Sequence, residues 1–328
     1  MNTRTPLRQR ALRTWRTLQA RHPGWGVVSE SDAQVRDMVR RTDWTRSALN
    51  IADPSHLDLA ARAIALGGVA CFPLANIYVF AARPTEAILR YVNLTKGRPA
   101  LQTGTFTTTP QHINEQFDWS RLPRGLDMGR VQELIRRLIA LGPIGFRGPA
   151  RPGLPAHLTA DDHGIRTAQV VNGGISCPSN ELYARVLDMI PENYLYGTSA
   201  NRSRHITGAM DEPIHYRLAP VQADFGRVPG FFMIGAGDEC AQQARYPLHA
   251  PMSTTLLSFH RLGPWDADSR RPRIVVERYG SLDLQTLRKT VAELDLDLWF
   301  GPSAQRRLTQ RNYALDGLPA LGSLPRAA

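Results

Sequence analysis

The chain has 328 residues, 42% hydrophobic and 21% charged, the proportions of an ordinary globular protein with room for one large core or two smaller ones. Its formal net charge of +11 favours a polyanionic partner such as a nucleotide or RNA, although arginines spread evenly over a surface give the same total. Cys71, Cys177 and Cys240 are far apart and form no CxxC pair, which argues against a disulfide framework or structural zinc. No apolar run reaches the roughly 18 residues of a membrane span and the start lacks an apolar signal core, so a cytoplasmic protein with no membrane partner is expected.

Residues 1–54 read as a helical N-terminal extension. Its start, "MNTRTPLRQRALRTWRTLQARH", is as basic as a transit peptide, but the Leu and Trp spacing suits an amphipathic helix packed on the body, and "SESDAQVRDMVRR" offers Ser or Asp caps for another helix. The body begins near Pro54, where Leu57, Ala60, Ala61, Ile64 and Ala65 recur at helical spacing up to a stop at Gly67 and Gly68. "VACFPL" reads as a short buried strand. "PTEAILRYVNLTKG" reads as a helix with Pro84 in its first turn and Gly97 just past its end, which puts Lys96 where helix becomes loop. "MGRVQELIRRLIALG" is a third helix, stopped by Gly142 and Pro143, and "GPIGFRG" and "AQVVNGG" are short strands in a Gly- and Pro-rich stretch. "SNELYARVLDMI" predicts a helix capped by Asn180, and "NYLYGTSAN" a strand running into a polar turn. "GFFMIGAG", "STTLLSFHRL" and "RIVVERYG" predict strands, and "SLDLQTLRKTVAEL" a closing helix capped by Ser281 or Asp283. The alternation argues for an α/β domain with a mixed sheet. The segment after residue 300 reads as irregular, and no internal repeat is present.

Of the 40 basic residues counted as Lys or Arg, only Lys96 and Lys289 are lysine. Lysine is a compact point charge on a flexible stem whereas arginine is a planar fork, so a lysine kept against this bias fits a position where one group must reach one oxygen. The macrodipole also favours a lysine at a helix C-terminus without any site.

"CFPLANIYVF", the helix ending in "KGRP" and the strand ending in "TSANRS" follow one another in an order that resembles the threonylcarbamoyl-adenylate synthase (YrdC-like) family. "GPIGFRG" stands at that family's Gly-Pro-Leu-Thr strand, "GGISCPSNELYARVL" at its strand, proline and helix, "MSTTLLSF" at its Glu-Ser-Thr strand, and "RIVVERYGSL" at its closing Arg-x-Gly segment. The likeness covers about residues 55–295. It leaves residues 1–54 as an extension and 296–328 as a C-terminal tail.

The resemblance implies a YrdC-like twisted mixed sheet with flanking helices and a concave nucleotide-binding face. It implies ATP-dependent formation of a carbamoyl-type adenylate, threonylcarbamoyl-AMP or an analogue, from ATP, bicarbonate or a carbamoyl donor, and an amino acid or other amine, with release of pyrophosphate. Lys96 and Arg98 match the family's Lys-x-Arg and are the expected catalytic, phosphate-facing pair. Ser199 and Asn201 match its Ser-x-Asn, Ser253 and Thr254 its Ser-Thr, and Arg278 the arginine before its last glycine, all expected to bind the nucleotide. Asn76, Tyr78 and Ser176 stand at positions expected to face the other substrate. ATP with Mg²⁺ is the expected cofactor, and a tRNA or a downstream transferase an expected partner.

The chain departs from the family at the acceptor side. The family's Pro-Thr-acidic-Thr-x-Tyr-Gly is here Pro73, Leu74, Ala75, Asn76, Ile77, Tyr78, Val79, an arginine is replaced by Ser176, a glutamate by Met252 and a proline by Thr198. Loss of hydrogen-bonding partners rejects a small polar substrate strongly, which puts threonine itself in doubt. A rival reading keeps the fold without catalysis, as an RNA- or nucleotide-binding protein.

Other candidates carry less. "TSAN" alone makes a capped turn, and Cys71 and Cys177 read as inert core thiols. His157, Asp161, Asp162 and His163 in "HLTADDHG" have metal-ligand chemistry but no site spacing, so no metal centre is expected. No nucleophile-elbow string supports Ser/His/Asp hydrolysis.

Overall fold

The computed structural model describes residues 30–207 and 215–309. The helix expected within residues 1–29 and the closing "LPALGSLPRAA" lie outside the described residues. In chain order the elements are α1 (Glu30–Arg41), β1 (Leu49–Asn50), α2 (Pro54–Ala65), β2 (Val69–Leu74), β3 (Ile77–Ala82), α3 (Glu86–Lys96), β4 (Thr105–Thr107), α4 (Met128–Leu141), β5 (Ile144–Pro149), β6 (Thr159–Asp162) and β7 (Ile165–Asn172). There follow α5 (Ser179–Leu187), β8 (Leu195–Ser199), α6 (Arg204–Thr207), α7 (Leu218–Phe225), β9 (Phe231–Gly235), α8 (Glu239–Ala244), β10 (Thr255–Leu262), β11 (Arg273–Arg278), α9 (Leu284–Ala292), β12 (Asp297–Phe300) and α10 (Pro302–Thr309).

Asp53, Thr85, Asp127 and Asp283 accept hydrogen bonds from first-turn amides of α2, α3, α4 and α9, each capping donors the helix leaves unpaired, worth about 1 kcal/mol apiece. Two expectations at helix starts, Pro84 in a first turn and Asn180 as a cap, are corrected. Pro84 stands outside α3, because Thr85 takes the cap position and accepts from Ile88 N. Asn180 lies inside α5 and turns its amide back to the preceding loop, donating to Gly174 O at 2.8 Å and Ile175 O at 3.0 Å.

Twelve strands form one mixed sheet in the order β1, β9, β2, β3, β8, β4, β7, β5, β10, β11, β12, with β6 paired to β7. The central hairpin of β2 and β3 is buried along its whole length, as expected of strands covered on both faces. Helices flank the sheet. Val131, Leu134, Ile135, Leu138 and Ile139 of α4 make one apolar stripe against it.

Both ends of the described chain join this body. β1 pairs in parallel with β9, Arg62 Nη2 binds Asp32 Oδ1 at 2.8 Å, and Trp44 lies 6.1 Å from the Phe232 ring. At the other end β12 pairs in parallel with β11, and α10 follows it. The expectation of irregular chain after residue 300 is thereby corrected for Pro302–Thr309, where the small buried Ala304 lets a helix pack down on the sheet.

Candidate functional site

A cavity of about 520 Å³ opens over β3, β8, β4, β7 and β5, and its walls include the residues just before β10 and the ends of β11 and α10. Its charged lining is Arg98, Arg147, Arg278 and Arg307, and no carboxylate lines it among the described residues. Seven serine and threonine residues add neutral hydroxyls. Arginine forks surrounded by hydroxyls match an oxyanion carrying several acceptor oxygens, such as a polyphosphate or carboxylate.

The first wall is built by the end of α3. Gly97 takes a left-handed conformation, φ 76°, and caps the helix, and the Ile206 side chain fills the space a β-carbon would need, 1.8 Å away. This turn sends Arg98 to the cavity, where its Nη1 donates to Thr198 Oγ1 at 2.8 Å. Lys96 goes the other way. It is fully buried, with its ammonium donating to Ser199 O and, at 3.4 Å, to Asn201 Oδ1, and lying 5.7 Å from the centre of the Phe80 ring. Lys96 and the equally buried Asn201 stand behind the wall, whereas Ser199 is part of it.

The second wall is the strand start at Ser253 and Thr254. Arg278 Nε donates to Thr254 O at 2.9 Å and its Nη2 to Thr254 Oγ1 at 3.0 Å, so the guanidinium is oriented before any ligand arrives. Gly280 allows this close approach, because a β-carbon there would lie 2.1 Å from Ser253 O.

Arg98, Ser199, Ser253, Thr254 and Arg278 are thus brought to one cavity, with Lys96 and Asn201 bracing it. Asn76, Tyr78 and Ser176 are not among its lining residues. Ile77 and Val79 face the cavity, and Tyr78 between them points to Glu239, its hydroxyl donating to Oε1 at 2.8 Å. Burial and the Glu239 carboxylate both push the Tyr78 phenol above its ordinary value. Asn76 Nδ2 donates to Ala250 O, and Ser176 is exposed ahead of α5. Leu74 alone of the departures in the "LAN" stretch lines the cavity.

Sequence reasoning missed Arg147 and Arg307. Arg147 is the one charged residue of the otherwise apolar "GPIGFRG", a signal that was available, whereas Arg307 lies in the segment read as irregular.

Of "HLTADDHG", His157 Nε2 bonds Pro84 O at 2.8 Å, Asp161 accepts from Gly164 N, and His163 is exposed. Asp162 instead meets His260 and Glu277, with ligand atoms within 4.8 Å of one another. Arginines already balance both carboxylates: Arg147 lies 2.9 Å from Glu277, and Arg261 lies 3.4 Å from Asp162. Burial pushes the Asp162 carboxyl up, but the His260 hydrogen bond and the nearby arginines outweigh it and hold it below the usual range. Burial lowers the His260 pKa, with Asp162 opposing. Ser258 Oγ lies 2.7 Å from His260 Nδ1, completing a Ser, His, Asp chain, but Ser258 is fully buried and does not line the cavity, so it is closed to a substrate as a nucleophile. Cys71 and Cys177 are buried, and burial raises the Cys71 thiol well above its ordinary value despite nearby Lys96, leaving it unreactive. No helix among the described residues is long and apolar enough to cross a membrane.

No family model and no curated protein sequence matches the chain. Solved structures do. A doubly substituted variant of P. abyssi Sua5 is similar at 18% identity and a TM-score of 0.54, over 78% of this chain and 62% of that one. P. abyssi Sua5 complexed with L-threonine is similar at 20% identity and a TM-score of 0.50, over 74% of this chain and 59% of that one. The chain spans about three-fifths of the length of these proteins. The fold implied by the ordered motifs is the fold the chain has: the twisted mixed sheet and flanking helices of the Sua5 and YrdC-like proteins.

Proposed function

We propose that the chain is an ATP-dependent enzyme that forms a carbamoyl-type adenylate and releases pyrophosphate. The observation that carries this reading is the cavity whose only charged lining residues among those described are arginines, two of them already oriented by Thr198 and Thr254. In the reaction an amine and bicarbonate, or a carbamoyl donor, supply a carbamate. Its oxygen forms a bond to the α-phosphorus, and the bond from that phosphorus to the bridging oxygen breaks, its electron pair leaving with pyrophosphate. Negative charge grows on the phosphate oxygens, and preorganised donors aimed there contribute on the order of 3 kcal/mol each. Arg98 and Arg278 take that role, with Ser199, Ser253 and Thr254 as neutral donors. Lys96 and Asn201 hold the Ser199 turn in place and set positive charge behind it. Mg²⁺ enters with ATP as part of the substrate, because no carboxylate lines the cavity to hold a resident ion among the described residues.

P. abyssi Sua5 is complexed with L-threonine, and an amino acid or another amine is the corresponding acceptor here. Leu74 presents an aliphatic side chain to the cavity where the family carries a hydroxyl, which supports an acceptor other than threonine. The product's consumer would be a tRNA-modifying or other downstream transferase. The second reading, a nucleotide- or RNA-binding protein without catalysis, is supported by the net charge of +11 alone. Pyrophosphate release separates the two: the enzyme releases it only when ATP is present together with bicarbonate and a suitable amine, or with a carbamoyl donor, and a binder releases none under any combination.

A further inference from the structure

Arg147 reaches the cavity from β5, and its Nη1 donates to Glu277 Oε2 at 2.9 Å although β10 lies between their strands. Ser258 of β10 is its register partner. Glu277 is largely buried, and its second oxygen faces Arg261 Nη2 at 3.8 Å. Arg261 Nε in turn lies 3.4 Å from Asp162 Oδ2, the oxygen that His260 Nε2 contacts at 2.7 Å. Two carboxylates, two guanidiniums and an imidazole therefore form one network on the side of Arg147 away from the cavity, and its formal charges cancel when the imidazole is neutral. Only Arg147 of this network lines the cavity. A buried carboxylate that pairs with one nitrogen of a guanidinium restrains where the fork lies and leaves other nitrogens for a ligand.

We infer that Arg147 is a specificity-determining contact for an oxyanion of the bound substrate, and that Glu277 is the positioning residue that aims it. The inference rests on the proposed adenylate chemistry for the identity of the ligand. Arg278 pairs in register with Leu256 and Arg147 with Ser258, two residues further along β10, or about 7 Å. Arg147 thus reads a group displaced from the one held by Arg278. That group is either a phosphoryl oxygen of the nucleotide or a carboxylate of the acceptor.

The test uses the full chain and isothermal calorimetry with ATP·Mg²⁺ and with inorganic pyrophosphate, beside amine-dependent pyrophosphate release. Arg147→Met keeps the aliphatic stem and removes the fork. A phosphate contact weakens both calorimetric affinities about tenfold. A carboxylate contact leaves them unchanged and raises about tenfold the half-saturating concentration of a carboxylate-bearing amine but not of its neutral amide. Glu277→Ala produces a smaller loss of the same kind, Glu277→Gln less still, and Glu277→Ala adds nothing to Arg147→Met. Arg147→Met within twofold of the unaltered protein in every arm overturns the inference, as does a Glu277→Ala effect that persists in full in the Arg147→Met background. A thermal melt of each variant separates these outcomes from unfolding. If the unaltered protein binds pyrophosphate but forms no adenylate, the proposed reaction fails while the calorimetric arm still decides the role of Arg147.

Discussion

Arg98 Nη1 donates to Thr198 Oγ1 at 2.8 Å, so the loop leaving α3 and the end of β8 are fixed against each other at the cavity wall. The hydroxyl helps to orient the guanidinium at the wall of the cavity. Arg98→Ala is expected to weaken ATP binding about tenfold or more, with a loss of stability of about 1–3 kcal/mol measured beside it. Thr198→Ala, which frees the fork but keeps its charge, should cost less. Calorimetry beside denaturant melts checks both, and equal losses of affinity from the two substitutions would remove orientation from the account.

Lys96 is expected to behave as a structural and functional residue together. Lys96→Ala removes the buried donor to the Ser199 carbonyl and to Asn201 Oδ1 and empties a fully buried position, a loss of about 2–5 kcal/mol. Lys96→Arg overpacks a fully buried position, at about 1–3 kcal/mol. Urea titration gives these losses, and turnover at a temperature where the variants remain folded should still be strongly reduced. A fully active, fully stable Lys96→Arg would contradict the point-charge explanation for this lysine.

Gly280→Ala is expected to disturb the site from outside it. The new methyl group would lie 2.1 Å from Ser253 O, and backbone must move. The expected result is a destabilisation of about 1–3 kcal/mol with weakened ATP binding, since Ser253 and Thr254 shift with the strand start. Unchanged melting and unchanged affinity would show that the approach can relax at no cost.

Acid should destabilise the fold through His249. This imidazole donates from Nε2 to Leu141 O and accepts at Nδ1 from Ser281, and burial lowers its pKa to about 4. The folded pKa lies below the unfolded value near 6.5, so the unfolded chain binds the proton more readily. The contribution is complete above pH 6.5 and is lost as pH falls toward 4, by roughly 3 kcal/mol at the end of that range. His249→Gln should flatten the fall in urea midpoint between pH 7 and pH 4.5. An unchanged slope would place the titrating group elsewhere.

The parts legible from sequence were those with local causes. The Gly97 stop of α3 could be read because a left-handed cap needs glycine, and the ordered motifs carried the fold because each is a short strand, turn or helix end. The meeting of Lys96 with Ser199 and Asn201 spans more than 100 residues and depends on β3 and β8 pairing, which no local pattern states. Tyr78 was readable in principle, since a strand alternates faces and Ile77 and Val79 take the cavity side. Arg307 was not, because its place follows from α10 packing on β11 and β12 at the end of the sheet, which no local pattern states.

The most direct test of the central claim is the mass of the product formed from ATP, Mg²⁺, ¹³C-bicarbonate and a panel of amines. The account expects pyrophosphate and an AMP adduct that keeps the labelled carbon, formed more readily with an amine other than threonine and lost in Arg98→Ala. Adducts formed most efficiently with threonine would contradict the argument from Leu74. Release of orthophosphate and ADP, or no AMP adduct with any amine by a protein that binds ATP, would contradict adenylate formation itself.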